Sequence, residues 1–303
     1  MKANPLISVV IPTHNCGSHI CDAVDSARAQ TYAPIEIIVV DDGSTDNTVD
    51  RLKSLRDRVR YAHQHNQGVS AARNLGIELA KGEFIALLDA DDVWHPQKLE
   101  RQMWIHHRRS DIKVSGTSFL WFVQSAPKDL ASYSGEPLVR DITLKHVLTN
   151  FSFGSCSGAL IHRGCFEQVG SFDISLRVCE DLDLWLRVAA RFPIAKLMEP
   201  LTYLRNRMGS LSSDAEALSI AHRLVLNRAF ATLPQLKGQV RLHRMALAAL
   251  YRHDASVYFG KGQRGRAIQE LLHSAVEWPL PLPTPDRNPN FVRAKMLIRY
   301  CLP

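Results

Sequence analysis

Ile35-Glu36-Ile37-Ile38-Val39-Val40-Asp41-Asp42-Gly43-Ser44 carries a nearly unbroken apolar run into two carboxylates and a turn. The pattern recurs at Phe84-Ile85-Ala86-Leu87-Leu88, which ends in Asp89-Ala90-Asp91-Asp92. Short continuous apolar runs suit parallel strands buried on both faces. Upstream, Leu6-Ile7-Ser8-Val9-Val10-Ile11 is a third such run, closed by Pro12. Asn15 is placed to cap a helix over residues 17–30. A helix over 46–55, a short strand over 59–62 and a helix over 69–80 fill the interval to residue 84. Gly82 stands just past the last of these, where glycine is favoured. Pro96 suits the first position of a helix containing Leu99, Met103 and Ile105. This alternation predicts an α/β fold, a Rossmann-like and mostly parallel sheet flanked by helices.

Residues 113–200 mix strands and loops, with a helix near 182–191. From Asp214 to about residue 277 the pattern is helical and rich in Arg, His and Ala, so a boundary is expected near 214. The two regions are then an α/β part, 1–213, and an all-α extension, 214–303. Within the extension, Tyr251, Ala255, Tyr258, Ala267, Leu271 and Pro279 follow the spacing of one tetratricopeptide-like helical hairpin. One such unit cannot bury its face alone. It must pack on the α/β part, on a partner or on a second copy of the chain, the route by which these helices would support a homo-oligomer. Pro279-Leu280-Pro281-Leu282-Pro283-Thr284-Pro285 reads as a stiff extended segment, followed by a short basic helix over 291–300.

The chain has 303 residues, 46% hydrophobic and 22% charged, which excludes disordered and fibrous classes. No apolar run approaches the ~20 residues of a membrane-spanning helix. The opening Met1-Lys2-Ala3-Asn4-Pro5 lacks the apolar core of a signal peptide, so a cytoplasmic chain is expected. The six cysteines form no CxxC pair and no zinc-ligand spacing, and read as reduced thiols. Cys16 and Cys21 lie near the first strand end without a sign of thiol chemistry. His106-His107 points to two helix faces and reads as ordinary surface or core histidine. A net charge of +7 fits an anionic partner: nucleic acid, an anionic membrane face or a phosphorylated small molecule. No nucleic-acid reading motif or aromatic platform is evident, so no nucleic acid partner is expected. Arg241, His243, Arg244, Arg252, His253, Lys261, Arg264 and Arg266 make the extension basic, by default a solvated face and secondarily a peripheral contact with the inner face of an anionic membrane.

Ligands of open parallel sheets bind outside the carboxyl ends of the strands, where Asp41-Asp42 and Asp89-Ala90-Asp91-Asp92 stand. Carboxylates gathered there repel one another unless a cation joins them. An Asp-x-Asp turn offers hard oxygen donors to Mg²⁺ or Mn²⁺, completed by phosphate oxygens. Glu180-Asp181-Leu182-Asp183-Leu184-Trp185 puts acids at a helix start, where they are favoured in any protein; a carboxylate facing a hydroxyl there could instead act as general base.

Taken together, these segments resemble family 2 glycosyltransferases. The resemblance rests on Ser8–Asn15 (Ser-Val-Val-Ile-Pro-Thr-His-Asn), Val39–Asp46 (Val-Val-Asp-Asp-Gly-Ser-Thr-Asp), Asn66–Asn74 (Asn-Gln-Gly-Val-Ser-Ala-Ala-Arg-Asn), Leu88–Asp92, Gly170-Ser171-Phe172-Asp173 and Glu180–Trp185. It covers about residues 6–212, in the family's order and spacing, and not the C-terminal helices. It implies a GT-A fold, a nucleotide-sugar donor (a UDP-sugar favoured), Mg²⁺ or Mn²⁺, inversion at the anomeric carbon, and a glycan or lipid-linked acceptor. Pro12, Thr13, His14 and Asn15 would form the loop beneath the nucleotide, and Asp41 with Asp42 would contact base and ribose. Arg73 and Asp89 would belong to the nucleotide site, and Asp91 would hold the metal. Asp181 would be the catalytic base and Glu180 would hold the acceptor. Where relatives carry a histidine facing metal and diphosphate, this chain has Arg207. A guanidinium cannot ligate a metal but can neutralise phosphate, so Arg207 is expected to share the leaving-group role. Two other readings are a sugar-phosphate nucleotidyltransferase and a non-catalytic scaffold of the same fold; the Glu180-Asp181 motif and the intact Asp91 weigh against them.

Overall fold

Every residue of β1 (Ile7–Thr13) is buried, as in a strand covered on both faces. It pairs in parallel with β2 (Ile35–Asp42) and with β4 (Phe84–Leu87), and β2 pairs in parallel with β3 (Arg60–Gln64). Helices α1 (Ile20–Arg28), α2 (Thr48–Lys53) and α3 (Val69–Leu79) make the crossovers. A Cβ on Gly76 would fall 2.3 Å from Val10 Cγ1, so glycine sets how closely α3 lies on the sheet. The computed structural model describes residues 4–55, 57–125, 127, 132–150, 153–206, 214–282 and 292–301.

The chain winds outward through β1, β2 and β3, then returns to the other side of β1 as β4. Winding direction therefore reverses between β1 and β4, and such a switch point opens a crevice at the carboxyl ends of the strands. Beyond it come β5 (Val93–Trp94), α4 (Lys98–Arg108), β6 (Val114–Phe122), β7 (Val139–Ile142), α5 (Leu144–Asn150), β8 (Leu160–His162), α6 (Gly164–Val169), α7 (Glu180–Ala189) and β9 (Ile194–Arg205). The strand order is β3-β2-β1-β4-β8-β6-β9-β5, with β7 also on β9. β8 runs antiparallel to both β4 and β6, while β6 and β9 are parallel. The α/β expectation holds, with antiparallel pairs confined to the second half of the sheet.

Three local expectations need correction. Asn15 does not cap α1: His19 occupies that position, and Asn15 Oδ1 instead accepts from the backbone N–H of Thr45 at 2.8 Å and of Asp46 at 3.2 Å. Its φ of +48° turns the chain away before the helix begins. Pro96 stands before the cap residue Gln97 rather than at the first position of α4. The strand expected over Ile35–Val40 runs on through Asp41 and Asp42, and the chain bends at Gly43.

The C-terminal helices are α8 (Ala215–Thr232), α9 (Val240–Gly260), α10 (Arg264–Glu277) and α11 (Val292–Cys301). Asp214 caps α8, accepting from Glu216 and Ala217 N–H. Val225, Leu226 and Ala229 of α8 and Ala246 and Leu250 of α9 share one apolar cluster with Val10, Leu87 and Trp185. The extension is thus packed on the α/β part. In the α9–α10 hairpin, Ala255 and Tyr258 meet Ala267 and Leu271, the small side chains allowing close approach. Tyr251 instead packs on His273, and Pro279 is exposed. Residues 283–285 of the proline-rich segment lie outside the described residues, as does Arg207. Among the described residues no helix is long and apolar enough to cross a membrane.

Candidate active site

Arg73, in the second turn of α3, is 4% exposed. Its Nη2 donates to Asp89 Oδ1 and its Nη1 to Glu180 Oε1, each at 2.7 Å. A buried guanidinium demands such partners, because an unpaired buried charge is costly. The pairing joins the end of β4, the start of α3 and the start of α7. The sequence placed Arg73 against a nucleotide; here it holds two carboxylates from below. Glu180, expected to hold an acceptor, is itself buried and bound to Arg73.

Asp181 follows Glu180 in the first turn of α7 and is half-buried. Its Oδ1 accepts from the Leu182 N–H at 2.7 Å. Dense surroundings and the neighbouring Glu180 push its pKa up to about 7, against the pull of Arg73. Cys179, the residue before Glu180, adopts φ +64°, a left-handed conformation unusual for a residue with a side chain. Such strain persists only where packing imposes it. Here the turn delivers Glu180 to Arg73. The preceding motif is anchored too. Asn74 exchanges two 2.9 Å hydrogen bonds with the Phe172 backbone, and Arg187, paired with Asp183, donates to the carbonyls of Val169, Gly170 and Ser171.

The loops after β1 and β2 are knitted together. Asn15 N–H donates to Ser44 Oγ, Cys16 N–H to Thr48 Oγ1 and Gly17 N–H to Asp46 Oδ2. His14 Nδ1 lies 2.8 Å from the Asp42 carbonyl oxygen, with Asn66 also beside the ring. Asp42 is occupied internally: it accepts from Gln64 Nε2, Gln67 N–H and Gly68 N–H, fixing the entry to α3. Asp41 accepts from Ser44 N–H and Tyr61 Oη, both at 3.0 Å. Pro12 and Thr13 close β1, and the buried Thr13 Oγ1 has no hydrogen-bond partner among the described residues. An orphaned hydroxyl at the switch point calls for a ligand group to satisfy it.

On the other wall, Asp89 and Asp91 are half-buried and Asp92 is buried. Asp92 accepts from Ser157 Oγ at 2.6 Å and from Arg205 N–H at 2.9 Å. Ser157 Oγ also accepts from the Asp89 N–H, and Arg205 Nε donates to the Asp91 carbonyl. Burial, with Asp89 and Asp91 close by, holds the Asp92 pKa well above the usual carboxylate range. That crowding of negative charge is what a divalent cation relieves, and carboxylate oxygens are the donors Mg²⁺ and Mn²⁺ take. Asp91, with Asp89 beside it, therefore fits such an ion. His106 and His107 form no site; the buried His106 bonds to Ile112 and Ser115.

Ser157 and Arg205 were not singled out by sequence reasoning. Ser157 lies in the 113–200 region of mixed strands and loops, and Arg205 two residues before Arg207. Buried serine and arginine carry no local signal of long-range partners.

The sequence model described as Glycosyl transferase family 2 matches residues 8–170. The chain is 38% identical over 200 residues to the uncharacterized glycosyltransferase RT0329 of Rickettsia typhi, a match covering 62% of this chain and 60% of that one. It is 33% identical over 217 residues to the putative teichuronic acid biosynthesis glycosyltransferase TuaG of Bacillus subtilis, covering 69% and 82%. The matches to Rickettsia relatives span only about a third to three fifths of those relatives' length. Among solved structures, S. aureus TarS 1–349 in complex with UDP-GlcNAc superposes with a TM-score of 0.66 at 18% identity, covering 97% of this chain and 89% of that one. The mannosyltransferase PcManGT of Pyrobaculum calidifontis, in complex with GDP-Man and Mn²⁺, gives 0.61 at 17% identity, covering 98% and 79%. At these identities the structural likeness establishes the GT-A fold alone.

Proposed function

Because the chain belongs to glycosyl transferase family 2, we propose that it is an inverting enzyme moving a sugar from a nucleotide-diphosphate sugar to an acceptor hydroxyl in polysaccharide or glycoconjugate assembly. The observation that supports this reading is the Arg73 bridge, which ties Asp89 at the β4 end to Glu180, the residue before Asp181. The donor lies across the ends of β1, β2 and β4, its nucleotide over the loops of Pro12 to Asn15 with Asp41 and Asp42 beneath, and Thr13 Oγ1 gains a partner. Asp181 accepts the acceptor proton as the oxygen attacks the anomeric carbon, from the face opposite the leaving nucleotide. Glu180 and Arg73 fix where Asp181 stands. Asp91, with Asp89, would hold Mg²⁺ or Mn²⁺, which as a Lewis acid stabilises charge on the departing diphosphate. Arg207 remains a proposed phosphate partner.

The relatives' names support both the donor class and the pathway: the solved neighbours are complexes with UDP-GlcNAc and GDP-Man, and TuaG carries a teichuronic acid assignment. A lipid-linked acceptor is supported by Leu120, Trp121 and Val123, exposed around Phe122, which stacks under Arg205 beside the Asp91 loop. Peripheral contact with an anionic membrane is supported separately, by the basic residues of the extension such as Arg241, Arg244, Lys261 and Arg264. The test is thermal stabilisation by UDP, GDP, dTDP and CMP, with and without Mn²⁺, in wild type and Asp91→Asn. Ligand at ~100 times its dissociation constant adds roughly 2.7 kcal/mol. A metal-dependent shift for one nucleotide, absent in the variant, is expected; no shift for any nucleotide overturns the reading.

A further inference from the structure

Away from the sheet, α8 and α9 bring together His222, His253 and Asp254, whose ligand atoms all lie within 4.8 Å of one another. His222 Nδ1 is 3.6 Å and His253 Nδ1 3.5 Å from the same oxygen, Asp254 Oδ1. Metal bonds of about 2.0–2.1 Å in a tetrahedral site put neighbouring donor atoms roughly 3.3–3.4 Å apart. The two observed separations are close to that edge. The imidazoles are nearly perpendicular, at 83°, with centroids 5.2 Å apart, so they approach from different directions instead of stacking.

The surroundings divide the work of Asp254 between its two oxygens. Oδ2 accepts from the Ser219 hydroxyl and faces the Arg223 guanidinium at 3.7 Å. That outer contact orients the carboxylate, as hydrogen bonds to the far oxygen do for metal ligands. Oδ1 is the oxygen turned to the histidines. Asp254 is 2% exposed and His222 10%, whereas His253 is 37% exposed and gives the cluster a path to solvent.

We propose that His222, His253 and Asp254 form a second cation site, for Zn²⁺, that ties α8 to α9. Two imidazoles and one carboxylate are the donor set of a borderline ion in four-coordination; Mg²⁺ requires more oxygens. The fourth ligand is water, on the His253 side. The ion links α9, whose far end forms the α10 hairpin, to the helix whose Leu218 carbonyl accepts from Cys179 Sγ, just before Glu180. It is independent of the cation proposed at Asp91, which rests on different residues.

The experiment is a calorimetric titration of chelator-treated, tag-free full-length chain with Zn²⁺. Asp91→Asn is used throughout to remove the other ion, and visible absorption of the Co²⁺ form reports coordination. One equivalent is expected, with a four-coordinate Co²⁺ spectrum and a rise in Tm on Zn²⁺ addition. His253→Gln, at an exposed position and checked for native circular dichroism, is expected to weaken binding by at least ~10-fold, and His222→Gln to do the same from α8. Absence of stoichiometric Zn²⁺ binding, or binding unchanged in both folded variants, overturns the proposal.

Discussion

Arg73 stands 2.7 Å from Asp89 on one side and 2.7 Å from Glu180 on the other. One buried cation thereby ties the strand end that faces the proposed donor to the helix start that carries the proposed base. The carboxylates also protect the cation: their proximity raises the Arg73 pKa well above its ordinary value, overcoming the opposing effect of burial. One guanidinium against two carboxylates leaves the centre net negative, the excess that a cation at Asp91 would offset.

Removing that cation should be severe. Arg73→Ala leaves Asp89 and Glu180 without their counter-charge, and breaking a buried pair costs about 3–5 kcal/mol. Urea unfolding should register this loss. Adding Glu180→Gln should recover part of it, because one of the two stranded charges is then gone.

Asp181→Asn tests the base directly. A positioned base contributes ~10²–10⁴-fold to turnover, so kcat should fall within that range. Nucleotide affinity, measured by calorimetry, should stay near the wild-type value. Loss of binding together with loss of native fold would contradict this role.

The pH dependence follows from the same residue. With its pKa pushed up to about 7, the ionised base is depleted below that pH. Log kcat/KM should rise with unit slope towards pH 7 and then level off. In the folded chain Asp181 keeps its proton between its ordinary value of 3.8 and about 7, where the unfolded chain has lost it. Its contribution to stability therefore falls as pH rises through that window. Urea midpoints of wild type and Asp181→Asn should diverge with increasing pH, the variant being favoured.

Ser157→Ala should loosen the opposite wall. It removes the donor to Asp92 Oδ2 and the acceptor for the Asp89 N–H. A buried group left unsatisfied costs about 1–3 kcal/mol, readable as a lower Tm. The metal-dependent nucleotide shift should weaken as well, since the Asp89–Asp92 turn loses its anchor.

Much of the fold was legible in the chain because its signals are local. Unbroken apolar runs fix β1, β2 and β4, whereas Gly82, expected at the end of α3, lies beyond the cap residue Ala80, and a Cβ there would fall 2.6 Å from the Ser8 nitrogen. A hydrophobic period or a cap depends on neighbours a few residues away. Asn15 shows where that logic fails: its side chain serves Thr45 and Asp46, thirty residues on, in preference to the adjacent helix. The aspartates Asp41, Asp89, Asp91 and Asp181 were also legible as candidates, since their spacing matches the family's motifs.

What the sequence by itself determined is the sheet of parallel strands, the reaction family and the identity of the acids at the strand ends. Only the tertiary structure decided which charges meet. Arg73 finds Glu180 across 107 residues, the Arg205 guanidinium finds Asp22 across 183, and Asp254 is joined by Ser219 and His222 from α8 beside its own neighbour His253. Backbone periodicity reports the face on which a side chain lies. Its partner is set by how faces from distant segments pack, and a buried charge then takes the partner that packing supplies.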